Sequence, residues 1–295
     1  MTGFSSEWLS LREPFDREAR GVAAQSLKLP ALGARLRGAD PRSTLSVLDL
    51  ACGTGANLRE LAPRLGGSQQ WTLVDHDPRL LEELPVVLAA WTRPNGFVFR
   101  AEATCMHIEG PGWNAKVQPQ CIDLALEFDT VPLAGQRLVT ASALLDLVSA
   151  SWLDALFARV SAAGAAMLFA LNVDGRVAWD PPVAGDEEVN RLFALHQHRD
   201  KGFGLALGAE AAGFVVGRLQ VMSYDVARAA SDWCINAIED AQALVMLAAM
   251  VEGMGAAAIE QDPTARSSVN DWMQGRSRVL GKTRLRIGHQ EIVAA

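Results

Sequence analysis

The chain is poor in cysteine: four in 295 residues, Cys52, Cys105, Cys121 and Cys234, with no C-x-x-C spacing. That excludes a disulfide framework and argues against a zinc site, so no metal is expected and the thiols suit a reducing, cytoplasmic compartment. The first fourteen residues lack an apolar core of the signal-peptide kind, because Glu7, Arg12 and Glu13 interrupt them. A clean membrane-spanning run is also missing. Residues 241–258 are the most apolar stretch, but Glu252 breaks it and Ala and Gly dominate, as in a buried helix. Nor is there an excess of positive charge: 27 Lys and Arg against 34 Asp and Glu leave a net charge of −7, with no general attraction for nucleic acid or an anionic membrane. Repeats and low-complexity linkers are absent. What remains is a 49% hydrophobic chain, long enough for one large α/β domain with insertions.

One stretch organises that chain. Leu45-Ser46-Val47-Leu48-Asp49-Leu50 is a short buried strand, and Ala51-Cys52-Gly53-Thr54-Gly55 ends it where small residues let a ligand approach the backbone. Asn57-Leu58-Arg59-Glu60-Leu61-Ala62 then reads as a helix, whose free N–H groups and positive dipole end face the loop. About twenty residues past Gly55, the run Trp71-Thr72-Leu73-Val74 ends in Asp75, a carboxylate placed to accept ribose hydroxyls. His76-Asp77-Pro78 follows with an N-cap and a first-position proline. A dinucleotide site would want G-x-G-x-x-G, but Leu58 stands three after Gly55 and Asp49 sits at the strand tip.

VLDLACGTG with LVDHD resembles the first two motifs of class I S-adenosylmethionine-dependent methyltransferases, with Ala51 in place of the first glycine of D-x-G-x-G-x-G. The resemblance implies S-adenosylmethionine as cofactor. It places Ala51, Gly53, Gly55 and Asn57 at the methionyl part, Asp49 near the amino group, and Asp75 with His76 at the ribose. It also implies a doubly wound, seven-stranded, mainly parallel α/β sheet ending in an antiparallel hairpin. Residues 1–40 are expected to be an N-terminal helical cap, in which Arg20 could meet the methionine carboxylate. Residues 41–295 are expected to be the methyltransferase-like domain, with 236–280 a helical insertion before the last strand.

Two acids compete for the adenine position, Glu102 and Asp123; Asp123 fits the family's spacing better, which leaves 101–116 as an inserted hairpin or loop. Residues 117–126 contain the next strand, around 121–125, and 138–142 the fourth strand. Ser142 and Asp146 stand at that strand's exit, where the strand order of a doubly wound sheet reverses. The N-P-P-[YF] motif of base amino-group methylation is absent. Residues 165–171 read as the fifth strand and 172–175 as the loop leaving it, with Asn172 as a candidate for substrate contact.

On the helix at 186–199, Val189, Leu192, Phe193 and His196 share a stripe that Asp200 extends, so His196 is expected to face inward, paired with Asp200, while His198 meets solvent. Asp200 and Lys201 open a glycine-flanked polar loop that suits substrate contact. Catalytic candidates are therefore His196 and Asp146. Arg266, Arg276, Arg278, Lys282, Arg284 and Arg286 make a basic C-terminal run, by default a solvated face.

The leading reading is methyl transfer to an oxygen or nitrogen of a small molecule, with no nucleic-acid or membrane partner. The others are a non-catalytic S-adenosylmethionine-binding regulator and a nucleic-acid methyltransferase using the basic run. The oligomeric state stays open.

Overall fold

The computed structural model describes residues 4–40 and 42–295; residues 1–3 and 41, at the start of the expected cap and at its boundary, lie outside them. The apolar run at 45–50 forms β1 (Leu45–Leu50), which is buried on both faces and lies near the middle of a ten-stranded sheet. On one side β1 pairs in parallel with β2 (Gly67–Asp75), and β2 with β5 (Trp113–Cys121). A hairpin, β3 (Val98–Ala101) and β4 (Met106–Gly110), extends that edge. On the other side β1 pairs in parallel with β6 (Leu138–Ser142), and β6 with β7 (Ala166–Asp180). The sheet closes on antiparallel β10 (Arg284–Ala294), flanked by β8 (Val226–Ala230) and β9 (Trp233–Asn236).

Strand order therefore reverses between β1 and β6, and the sheet ends antiparallel. This is the doubly wound class I methyltransferase fold. The expected seven strands are β5, β2, β1, β6, β7, β10 and β8, and β3, β4 and β9 are additions.

One face of the sheet buries α1 (Ser6–Leu27), α2 (Leu29–Arg37), α3 (Ala56–Leu65), α4 (Pro78–Thr92), α6 (Asp186–Gln197), α8 (Ala241–Gln261) and α9 (Arg266–Val279). The other face is covered by α5 (Ala150–Ala162) and α7 (Ala211–Val221). Where β3, β4 and β5 present Arg100, His107, Glu109, Asn114 and Lys116 on one side, the sheet surface is polar and open.

By length and composition α8 could cross a membrane. Here Ala243, Met246, Leu247, Met250, Val251, Met254 and Ala258 recur every three or four residues and are buried, packed mainly against α6 and α9.

Three expectations shift. The strand at 117–126 runs earlier, from Trp113, and stops at Cys121, so Asp123 falls in the following turn. Inward alternation of Trp113, Ala115 and Val117 drives the strand, and Pro119 is tolerated because pairing with β4 has ended at Val117. The fifth strand does not stop at Leu171: β7 runs to Asp180, so residues 172–175 are strand rather than loop, with register shifts where it pairs with β10. The basic run is a solvated face at Arg266, Arg278, Lys282, Arg284 and Arg286, all exposed, but not at Arg276. Arg276 is fully buried, donates to Asp186 and to Pro181 O at 2.9 Å, and stacks over Trp179 at 4.4 Å. Arg286 pairs with Asp232 at 2.6 Å.

Candidate functional site

β1 delivers Asp49 and then turns through Ala51, Gly53 and Gly55, all at positive φ (52°, 53° and 78°). Gly55 N-caps α3 without any side-chain cap, which leaves the first amides of that helix aimed at the loop. Ala51 adopts the left-handed conformation that the family's glycine would take freely, at a cost of about 1–2 kcal/mol for an L-residue. Ala143 (φ 53°) after β6 and Leu171 (φ 54°) in β7 do the same. Three non-glycine residues thus stand just past the ends of β1 and β6 and, within β7, level with the end of β6, and such outliers concentrate at ligand sites.

Asp49 is fully buried. Its Oδ1 accepts from Asn57 Nδ2 at 2.7 Å, and that amide also donates to Thr140 Oγ1 at 3.0 Å. Burial pushes the Asp49 carboxyl up to about 7, against the pull of Asn57 and Arg20, and Asp75 adds to the rise. Asp49 Oδ2 and Asn57 Oδ1 are buried with no hydrogen-bond partner. Arg20, on α1, is buried too: Nε donates to Glu291 Oε1 at 2.9 Å, while Nη2 has no partner. A buried donor and a buried acceptor, both unsatisfied and within electrostatic reach, are an arrangement that a zwitterionic amino-acid group would complete.

Asp75 is pinned at both oxygens: Oδ2 accepts from Gly53 N at 2.8 Å and Oδ1 from Asp77 N at 3.0 Å. Each oxygen keeps a lone pair for a further donor. His76 stands beside it, half exposed, with Nδ1 at 3.4 Å from Asp75 Oδ1. Asp123 lies in the turn after β5, the neighbour of β2, and caps that turn by accepting from Ala125 N at 2.8 Å. Glu102 sits instead at the β3–β4 turn, away from β2.

The loop is covered by the chain itself. Leu9 of α1 packs so closely that a Cβ at Gly53 would stand 3.0 Å from its Cδ1. Glu13 fastens α1 to α3, receiving Arg59 Nε at 2.8 Å and Nη2 at 2.6 Å, while Arg59 Nη1 reaches back to Thr54 O. Trp233 Nε1 donates to Asp16 at 2.9 Å, and Arg12 stacks over the same indole. Glu13, Arg59, Glu291 and Thr140 were not legible as site residues. The only hint was the density of charge between Arg12 and Arg20.

At the exit of β6, Ser142 is half-buried and Asp146 is buried. Burial pushes the Asp146 carboxyl up, against a backbone hydrogen bond and the charges of Arg12 and Lys201. Lys201 donates to Gln197 O at 2.9 Å, capping α6. Asn172 is fully buried within β7 and donates to Phe169 O and Gln290 O, so it braces backbone.

His196 is not paired with Asp200. Its Nε2 lies 3.3 Å from Glu260 of α8, and Asp200 accepts from Gly202 N and Gly204 N instead. The apolar stripe of α6 turns mainly toward the inserted helix α8, which sequence periodicity alone could not name as its partner. His198, expected in solvent, contacts Ala206 O through Nδ1 at 3.1 Å.

No family model and no curated protein matches the chain. Solved structures do. A cyclopropane-fatty-acyl-phospholipid synthase-like protein from Lactobacillus casei is 13% identical over 99% of this chain and 95% of its own, with a TM-score of 0.49. A SAM-dependent methyltransferase from Geobacter sulfurreducens, in complex with S-adenosyl-L-homocysteine, is 14% identical over 91% and 90%, with a TM-score of 0.42. One from Thiobacillus denitrificans, with the same ligand, is 16% identical over the full length of both chains, with a TM-score of 0.43. The likeness is one of chain path. The fold assignment rests on the strand order itself.

Proposed function

We propose that the protein binds S-adenosylmethionine at the β1–α3 loop and transfers its methyl group to an oxygen or nitrogen of a small molecule, in the cytoplasm. The observation that carries the reading is the pair of unsatisfied buried groups, Arg20 Nη2 and Asp49 Oδ2, next to a glycine-bearing loop and an acid at the tip of β2. Arg20 would hold the carboxylate of the methionyl part, Asp49 its ammonium, and Asp75 the ribose hydroxyls. Asp123, in the turn after β5, would meet the adenine. Bound there, the cofactor would supply an electrophilic sulfonium methyl to the acceptor's lone pair, with the neutral thioether as leaving group.

The chain's own part is to orient the acceptor, exclude water and take its proton. Asp146 is the better-placed base: it is buried, its affinity for a proton is raised, and it lies at the strand-order reversal. His196, paired with Glu260 of α8 at 3.3 Å, is the weaker candidate. The ion pairs of Arg276 and Arg286 leave less of the basic run for a nucleic acid.

Calorimetric titration tests the reading. S-adenosylhomocysteine should bind at least about tenfold more tightly than 5′-methylthioadenosine, which lacks the amino-acid end, since charged hydrogen bonds are worth about 1.5–3 kcal/mol. Arg20→Lys should shrink that difference. A preference for NAD, or equal affinity for the two thioethers, would overturn it; tight binding without turnover of labelled cofactor in cell extract would point to a regulator.

A further inference from the structure

The turn joining β3 to β4 gathers three donor atoms of different chemistry. Cys105 Sγ lies 3.3 Å from Glu102 Oε2 and 3.4 Å from His107 Nε2, and that nitrogen lies 3.4 Å from the other oxygen of the same carboxylate, Oε1. Around tetrahedral zinc, with Zn–S near 2.3 Å and Zn–N or Zn–O near 2.0–2.2 Å, neighbouring donors stand about 3.3–3.6 Å apart. The sulfur and the nitrogen are already spaced as two corners of such a tetrahedron, and the Glu102 carboxylate turns one oxygen to each of them; one donor atom from each residue lies within 4.8 Å of the other two. The backbone helps: Glu102 N donates to Cys105 O at 2.8 Å, which closes the turn and brings the two side chains together.

We propose that Glu102, Cys105 and His107 form a binding site for a thiophilic divalent cation of the zinc class, with three protein ligands and a fourth position for a ligand from solution. A thiolate and an imidazole select against magnesium and calcium, which want oxygen donors. On binding, the Cys105 S–H bond gives its proton to solvent and the sulfur pair to the metal. Thiolate and carboxylate then neutralise the dication.

His107 also lines a groove of about 310 Å³ on the polar sheet face, with Arg100 and Lys116 among its walls. Those two cations flank His107 across the register on either side. A water or a small anion is therefore the fitting fourth ligand. The spacing Glu-x-x-Cys-x-His matches no standard zinc pattern, which is why the scattered cysteines gave no sign of the site. It lies at the opposite edge of the sheet from β8 and is independent of the proposed cofactor reading.

The test uses cobalt(II) as a spectroscopic probe on the full-length chain, in a Cys121→Ser, Cys234→Ser background that removes the exposed thiols. One equivalent should give a thiolate-to-cobalt charge-transfer band in the near ultraviolet with four-coordinate ligand-field intensity, and zinc should displace it. Cys105→Ser should abolish the band, and His107→Ala should weaken binding by more than about a hundredfold, beyond what loss of an outer partner of a ligand costs. Zinc should also raise the melting temperature of the parent and not of Glu102→Gln. Cobalt binding with no charge-transfer band, or a band that survives Cys105→Ser, overturns the proposal and leaves a hydrogen-bonded turn. Should Cys105→Ser misfold, His107→Ala decides alone: unchanged cobalt affinity refutes the site.

Discussion

Asp49 is fully buried beside Arg20, with which it shares no hydrogen bond, and its carboxyl is pushed up to about 7 from 3.8. Between those two values the folded protein holds a proton that the unfolded chain has released, so stability falls as pH rises through the window and levels off above about 7. At about 1.4 kcal/mol per pH unit the full effect is about 4 kcal/mol. Asp49→Asn should remove this slope, as read by urea midpoints near pH 4.5 and near pH 7.5. The same proton opposes binding of an ammonium group. Affinity for S-adenosylhomocysteine should rise nearly tenfold per pH unit up to about pH 7 and then flatten, and the heat of binding should depend on the buffer's ionisation enthalpy. A flat affinity between about pH 5.5 and 7.5 would remove Asp49 from the amino-group role.

At the scale of elements, α1 is fastened by side chains rather than by the turn that follows it. Arg59 is 3% exposed and spends its guanidinium on Glu13 and on Thr54 O. Glu13→Gln removes the charge that this buried cation faces and should cost about 1.5–3 kcal/mol, whereas loss of the exposed Arg17 that also meets Glu13 should cost under about 0.5 kcal/mol. Denaturant midpoints of the two variants check this, and equal values would mean that α1 is held by packing alone. Much of this layer was legible beforehand. β1, β2, β6, β8 and the inserted helical pair stand close to where apolar runs and glycines put them. The loop glycines, Asp75 and the N-cap Asp77 follow from local rules, and local rules survive folding. What could not be read depends on distant partners: α6 meets α8, so His196 finds Glu260, and Arg276 enters the core because Asp186 and Trp179 wait for it. β7 continues past Leu171 because β10 pairs with it along most of its length, a length that no local signal encodes.

For the whole molecule, the cap and the sheet share one core: Phe15, Ala19, Ala23 and Leu27 of α1 belong to the same buried cluster as Val47, Leu73 and Trp71. The insertion joins that cluster through α8 and α9, which makes the doubly wound domain and its additions a single packed unit. Leu9 resting on Gly53 then has a kinetic meaning. If a ligand reaches the loop only when α1 has moved off it, the measured dissociation constant is the intrinsic one divided by the open fraction. In stopped-flow mixing with S-adenosylhomocysteine, the observed rate should climb hyperbolically to a plateau equal to the opening rate. Glu13→Gln should raise the plateau, and a strictly linear dependence would show that the helix does not gate entry. A plateau would mean that the turn of α1 resting on Gly53 sets a ceiling on association that no concentration of ligand can lift.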